Sequence, residues 1–110
     1  MIILSWNVRG LGQPLAFSIC QQMIQRVKPS FCFFMETKIH MDIGKTFARR
    51  WGFKFCEGVS SIGQIGKIMI MWNVSVNVTI KDMNKNIINV CIFDHFNHFW
   101  ISCLYGHPEV

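Results

Sequence analysis

Charge is scarce in this chain: only 15% of its 110 residues are charged, against 51% hydrophobic and 14% aromatic. Disorder is thereby excluded, because so apolar a chain buries enough surface to offset the entropy of ordering. The length excludes two separate cores and sets one domain, 1–110, as the ceiling. A domain this small has a large surface for its volume, so the shortage of polar residues leaves some apolar surface without a partner inside the chain. No Cys-x-x-Cys pair occurs, and the cysteines, at 20, 32, 56, 91 and 103, are odd in number. Both facts argue against a secreted disulfide framework and for buried free thiols in a reducing compartment. The start, Met1-Ile2-Ile3-Leu4-Ser5-Trp6-Asn7, lacks the basic region and long apolar stretch of a signal peptide, so an intracellular protein is expected. The longest apolar runs, Phe31 to Met35 and Ile68 to Trp72, fall far short of the roughly 20 residues that span a bilayer as a helix. They read as strands, and no membrane partner is expected. Repeats, low-complexity stretches and linkers are missing as well.

What charge there is leans positive. Eleven basic residues against six acidic give +5, a bias that favours phosphate-rich partners through steering and counterion release. The basic residues are spread from Arg9 to Lys85, and only Lys45, Arg49, Arg50 and Lys54 form a local group, which charge pattern alone reads as a solvated helix face.

Ile2 to Asn7 reads as a buried strand that stops at Arg9-Gly10-Leu11-Gly12, where the glycines permit a tight turn. Beyond Pro14, which suits a first helical turn, Ala16, Ile19, Cys20, Met23, Ile24 and Val27 recur at helical spacing. Pro29 disfavours a helical Lys28 and ends that helix, and Phe31 to Met35 gives a second strand. Strand, helix, strand implies a crossover between parallel strands. Ile43, Phe47 and Trp51 then predict a short helix from about Asp42, placed to cap it, to Trp51. From Gly52 onward, runs at Phe53–Ser60, Lys67–Trp72, Val74–Met83, Ile87–Phe93 and Phe99–Tyr105 predict a β-meander. Val74, Val76, Val78 and Ile80 alternate with Ser75, Asn77, Thr79 and Lys81, so that strand should bury one face.

Four segments carry a resemblance: Leu4-Ser5-Trp6-Asn7-Val8-Arg9-Gly10-Leu11-Gly12, Met35-Glu36-Thr37-Lys38, Gly63 to Trp72, and Leu104-Tyr105-Gly106-His107-Pro108-Glu109. In content and order they resemble the amino-terminal half of the endonuclease/exonuclease/phosphatase family, related to deoxyribonuclease I, and among its members the endonuclease domains of plant LINE-type retroelements. The first two segments are the most specific. The resemblance implies an α/β sandwich of two sheets with helices outside, here truncated, with the site at strand ends on one edge.

By position, it implies that Asn7 lies near the scissile phosphate and that Glu36 holds magnesium, a hard cation that prefers oxygen ligands. It gives Tyr105 the role of the hydroxyl that reaches the phosphate, while tyrosine chemistry equally allows a core ring with a wet hydroxyl. Lys38 and Arg9 would meet the nucleic-acid backbone, unless Arg9 braces Glu36 instead. DNA is the implied partner and the nucleus the implied location; no small-molecule cofactor is evident. Two departures stand out. Lys67 follows Gly66 where the family has paired glycines, which predicts an altered hairpin. The family's later Gly-Asp-x-Asn segment, further aspartate and Ser-Asp-His ending have no counterpart before Val110.

Cys91, His95, His98 and Cys103 offer the ligand types of a zinc site, but two inside strands and two around a turn need not converge. No cysteine has an activating context for nucleophilic catalysis. The expectation is a truncated or divergent metal-dependent phosphodiesterase domain, inactive as this chain; the alternative is a non-catalytic remnant that binds nucleic acid weakly or has no retained function. Truncation is expected to leave one face of the first sheet uncovered and the chain prone to self-association.

Overall fold

The computed structural model describes residues 1–60 and 66–106. Two helices lie against a mixed four-stranded sheet, and a three-stranded sheet covers the other face of that sheet. The first sheet has the order β1 (Ile3–Asn7), β2 (Phe31–Met35), β4 (Gly66–Trp72), β3 (Phe55–Ser60). β1 and β2 are parallel, while β4 runs antiparallel to both of its neighbours. The second sheet is β5 (Asn77–Met83), β6 (Ile87–Asp94), β7 (Asn97–Leu104), all antiparallel.

The unbroken apolar runs of β2 and β4 follow from their central position. Cys32, Phe34, Met69 and Met71 face the helices, whereas Phe31, Phe33, Ile68, Ile70 and Trp72 face the second sheet. A strand buried on both faces has no room for polar alternation. On the second sheet, Ile88, Val90, Ile92 and Cys103 complete that inner core. The expectation that one face of the first sheet stays bare is therefore corrected: this chain supplies the cover itself.

α1 (Pro14–Val27) starts with Pro14 in its first turn and ends where Lys28 turns left-handed, its N–H donating to the Ile24 carbonyl at 2.9 Å. Pro29 denies Lys28 the right-handed conformation, as expected. α2 (Met41–Arg50) departs from expectation at its start and along its face. His40 takes the capping position without a side-chain hydrogen bond, and Asp42 sits inside the first turn, where its charge still complements the helix dipole. Ile43 is exposed, and the buried positions are the small Gly44 and Ala48, with Phe47 and Trp51 flanking them. Phe17 of α1, which the spacing of apolar residues overlooked, meets Phe47 and Trp51 with ring centroids 4.8 and 5.2 Å apart.

The predicted meander is divided. β3 and β4 form a hairpin in the first sheet, and the chain crosses to the second sheet only at Asn73. The Asn73 side-chain oxygen accepts from the Ser75 N–H at 3.0 Å, so a turn displaces the start of the next strand. Val74 is thus exposed, while Val76 is buried and Val78 and Ile80 are packed against the inner core.

Candidate active site

The carboxyl ends of the parallel pair are level, because Asn7 is in register with Met35. Beyond the sheet the two segments remain joined. The Val8 N–H donates to the Met35 carbonyl at 3.0 Å, Gly10 to Glu36 at 2.7 Å and Leu11 to Thr37 at 2.8 Å. Thr37, itself buried, donates its N–H to the Lys67 carbonyl at 3.3 Å, which ties the pair to the start of β4.

This ladder holds an uncommon backbone. Arg9, Glu36 and Lys38 have φ of 51°, 53° and 53°, and Gly10 has φ of 97°. For the three residues with a Cβ, the left-handed region costs on the order of 1 kcal/mol each, so it persists only where surrounding bonds impose it. Gly10 signals such a bend in the sequence. Nothing in the residue types of Glu36 or Lys38 does, and the sequence reading missed it.

Tyr105 arrives from the other sheet, just past β7, with its N–H donating to the Asn86 carbonyl at 2.8 Å. Its ring packs against the inner core, and its hydroxyl donates to Glu36 Oε1 at 3.1 Å. The ring thus sits as the core reading of Tyr105 expects, and the hydroxyl is held at Glu36. Asn7 acts on the same carboxylate as a hydrogen-bond donor, and this is the main reason the Glu36 carboxyl is held below the usual range. Partial burial opposes that shift, while the Tyr105 hydroxyl and the charges of Lys38 and Arg9 assist it. The Tyr105 hydroxyl is pushed the other way, first by burial and then by donating to Glu36 beside its charge. An ionised acceptor thus faces a protonated donor at neutral pH.

Asn7, Glu36 and Tyr105 are brought together, and the charges of Arg9 and Lys38 reach Glu36 although both side chains are exposed. The donor set is oxygen-rich and holds one carboxylate. It fits magnesium, which takes one or two carboxylates and fills its remaining positions with water and substrate phosphates. Among the described residues no group of three or more His, Cys, Asp or Glu side chains is placed to hold a metal. Cys91 pairs with Trp100 and Cys103 with Ile88, which puts the two thiols on opposite faces of the second sheet. The Gly66-Lys67 hairpin falls partly, and His107, Pro108 and Glu109 wholly, outside the described residues.

No protein-family model and no curated protein matches this chain. Solved structures similar to it include two phosphatases. One is the 3′ phosphatase NExo from Neisseria bound to a product DNA hairpin, with TM-score 0.58 and 16% identity over 82% of this chain and 37% of that one. The other is ANGEL2, a 2′,3′-cyclic phosphatase in complex with adenosine-2′,3′-vanadate, with TM-score 0.50 and 11% identity over 82% and 35%. The chain spans little more than a third of the length of either. The fold is the two-sheet α/β sandwich of the endonuclease/exonuclease/phosphatase type, with the Glu36 cluster at the carboxyl ends of its parallel strands.

Proposed function

We propose that this chain is the amino-terminal part of a metal-dependent phosphodiesterase domain, related to retroelement endonucleases and descended from enzymes that hydrolyse DNA phosphodiesters, and that it does not itself cut DNA. The observation that carries this reading is the Glu36 carboxylate, kept ionised between Asn7 and the Tyr105 hydroxyl at the end of two parallel strands. Glu36 would hold magnesium, which when bound neutralises charge on a phosphate. Asn7 and Tyr105 would orient that phosphate by donating to its oxygens. Arg9 and Lys38, exposed beside the carboxylate, would attract the strand without reading its bases. DNA in the nucleus is the partner and setting this reading implies, and five buried free thiols suit a reducing compartment.

The proposed inactivity rests on what surrounds Glu36. The side chains that act on it are Asn7, Tyr105, Lys38 and Arg9, and among the described residues no group of three or more His, Cys, Asp or Glu side chains gathers there. Activating a water takes a positioned base, and a lone metal-binding carboxylate does not replace one. The purified chain should therefore nick supercoiled plasmid in magnesium no faster than its Glu36→Ala variant. Millimolar magnesium should nonetheless shift the Asn7 side-chain amide resonances of the wild type and not of that variant. Nicking abolished by Glu36→Ala would refute the inactivity, and an absence of any magnesium shift would refute the metal role.

The second reading, a non-catalytic remnant that binds nucleic acid weakly, is favoured by the net charge of +5. Binding of this kind should be sequence-independent and lost steeply with salt.

A further inference from the structure

Lys45, Arg49, Arg50 and Lys54 are all exposed, as the charge pattern implied, but they do not all point the same way. Arg50 turns toward the Phe17 ring, its guanidinium carbon 5.8 Å from the centroid. The other three converge with the edge strand β3 on a concavity of about 250 Å³. Its walls include the nearly inaccessible Ala48, Cys56 and Trp72, and one acid, Glu57, shares the rim.

We propose that this concavity binds a phosphoryl group, with Arg49 as the planar fork and Lys45 and Lys54 as point charges. Lys45 and Arg49 stand four residues apart on α2, so they repel each other across one helix face. Among the described residues the ion pairs all involve Asp94, and none relieves these cations. An oxyanion that accepts from both would do so, and guanidinium with ammonium is the pairing that suits phosphate oxygens. The volume lies below the roughly 300–1,000 Å³ of sites for drug-sized ligands, so one phosphoryl group fits inside with its substituent at the mouth. The neighbouring Phe55 ring is already stacked on Trp72 and carries the Lys54 ammonium 5.8 Å from its centroid. The three cations offer donors to phosphate oxygens and none to base edges, so recognition is independent of sequence. The last turn of α2 lends no help, since the carboxyl end of a helix dipole disfavours anions. Attraction rests on the side chains and must be salt-sensitive.

This is a place apart from Glu36. Phe55 and Trp72 are level with Phe31, at the opposite end of β2 from Met35, roughly 13 Å along the strand at about 3.3 Å per residue. Binding here does not depend on the proposed phosphodiesterase ancestry, and Glu36→Ala should leave it intact.

The source of the phosphoryl group is either a free phosphate compound or a nucleic-acid strand, and amide mapping by NMR separates them. Inorganic phosphate at low salt should shift the amides of Lys45 to Arg49 and of Lys54 to Glu57 in the wild type, and not in an Arg49→Ser/Lys54→Ser variant. A labelled single-stranded oligothymidylate should lose about tenfold in affinity in that variant, with a salt slope lower by about 1.4 for two phosphate contacts. A charge-matched control, Lys81→Ser/Lys85→Ser, should lose less than half as much. An oligonucleotide at least tenfold tighter than phosphate at the same amides identifies the strand as ligand, and equal affinity identifies free phosphate compounds. The proposal is overturned if no pocket amide moves with either ligand, or if both double variants weaken binding equally. The wild-type mapping decides the matter even if a variant misfolds.

Discussion

At the scale of single residues, the decisive contact is a carboxylate shared by two donors from distant segments of the chain. Asn7 and Tyr105 both favour the ionised form of Glu36, so its folded-state pKa lies below its ordinary value of 4.5. A lowered folded value stabilises the native state above pH 4.5, and that contribution is lost as pH falls through the folded value. Titration of the Glu36 side-chain carboxyl by NMR should show this directly. Tyr105→Phe should raise the pKa, and Asn7→Ala should raise it further, because the Asn7 bond is the larger cause. In Glu36→Gln, the corresponding acid-side loss of urea stability should disappear. A wild-type Glu36 that titrates like a free glutamate would show that the cluster does not form in solution. Asn7, Glu36 and Tyr105 were singled out in the sequence by the short motifs that carry the resemblance, each at or beside the end of an apolar run. The left-handed backbone at Glu36 and Lys38 was not, since it is imposed by hydrogen bonds from Gly10 and Leu11 in another segment.

Among the elements, β3 shows how close approach constrains sequence. A Cβ on Gly58 would lie 2.7 Å from the Ile68 carbonyl oxygen and 2.7 Å from Met41 Sδ. The methionine could yield, but the backbone of the adjacent strand cannot. Gly58→Ala should therefore destabilise the chain by about 1–3 kcal/mol, the usual cost of overpacking, despite the better strand propensity of alanine. Urea denaturation would measure it, and an unchanged midpoint would mean that β3 and α2 pack less tightly than described. The order β2-β4-β3 was invisible in the run of strands, because an antiparallel hairpin looks the same locally whether it joins one sheet or the next. Which cations of the basic group share a cavity was equally hidden: the helix repeat places Lys45 above Arg49, but only the packing of β3 beside α2 brings Lys54 to them.

For the whole molecule, the question is which apolar surface remains in water. The first sheet is covered on both faces, so the expected weakness is displaced to the second. Leu104 and Trp100, on the face of β7 away from the inner core, are 63% and 68% exposed, and Phe96 at the hairpin tip is fully so. β7 is also an edge strand without a charged residue, a proline or a register shift, the devices that usually protect such an edge. We expect the chain to self-associate at micromolar concentration through this strand, and Trp100→Lys/Leu104→Lys to restore a monomer by light scattering. A monodisperse wild type that binds no hydrophobic dye would overturn this.

The sequence by itself determined which stretches form strands and helices, though not where β5 starts, because the unbroken apolar run of β2, the helical period of α1 and the alternation of β5 are local and need no partner to be read. It also determined which polar residues end the parallel pair, since Asn7 and Glu36 directly follow their apolar runs. Only the tertiary structure decided that Tyr105, 69 positions from Glu36, meets its carboxylate, and that β5 to β7 turn back over the first sheet. Those outcomes depend on long-range pairing and burial, where register and the closing of two cores set distances that no local pattern encodes.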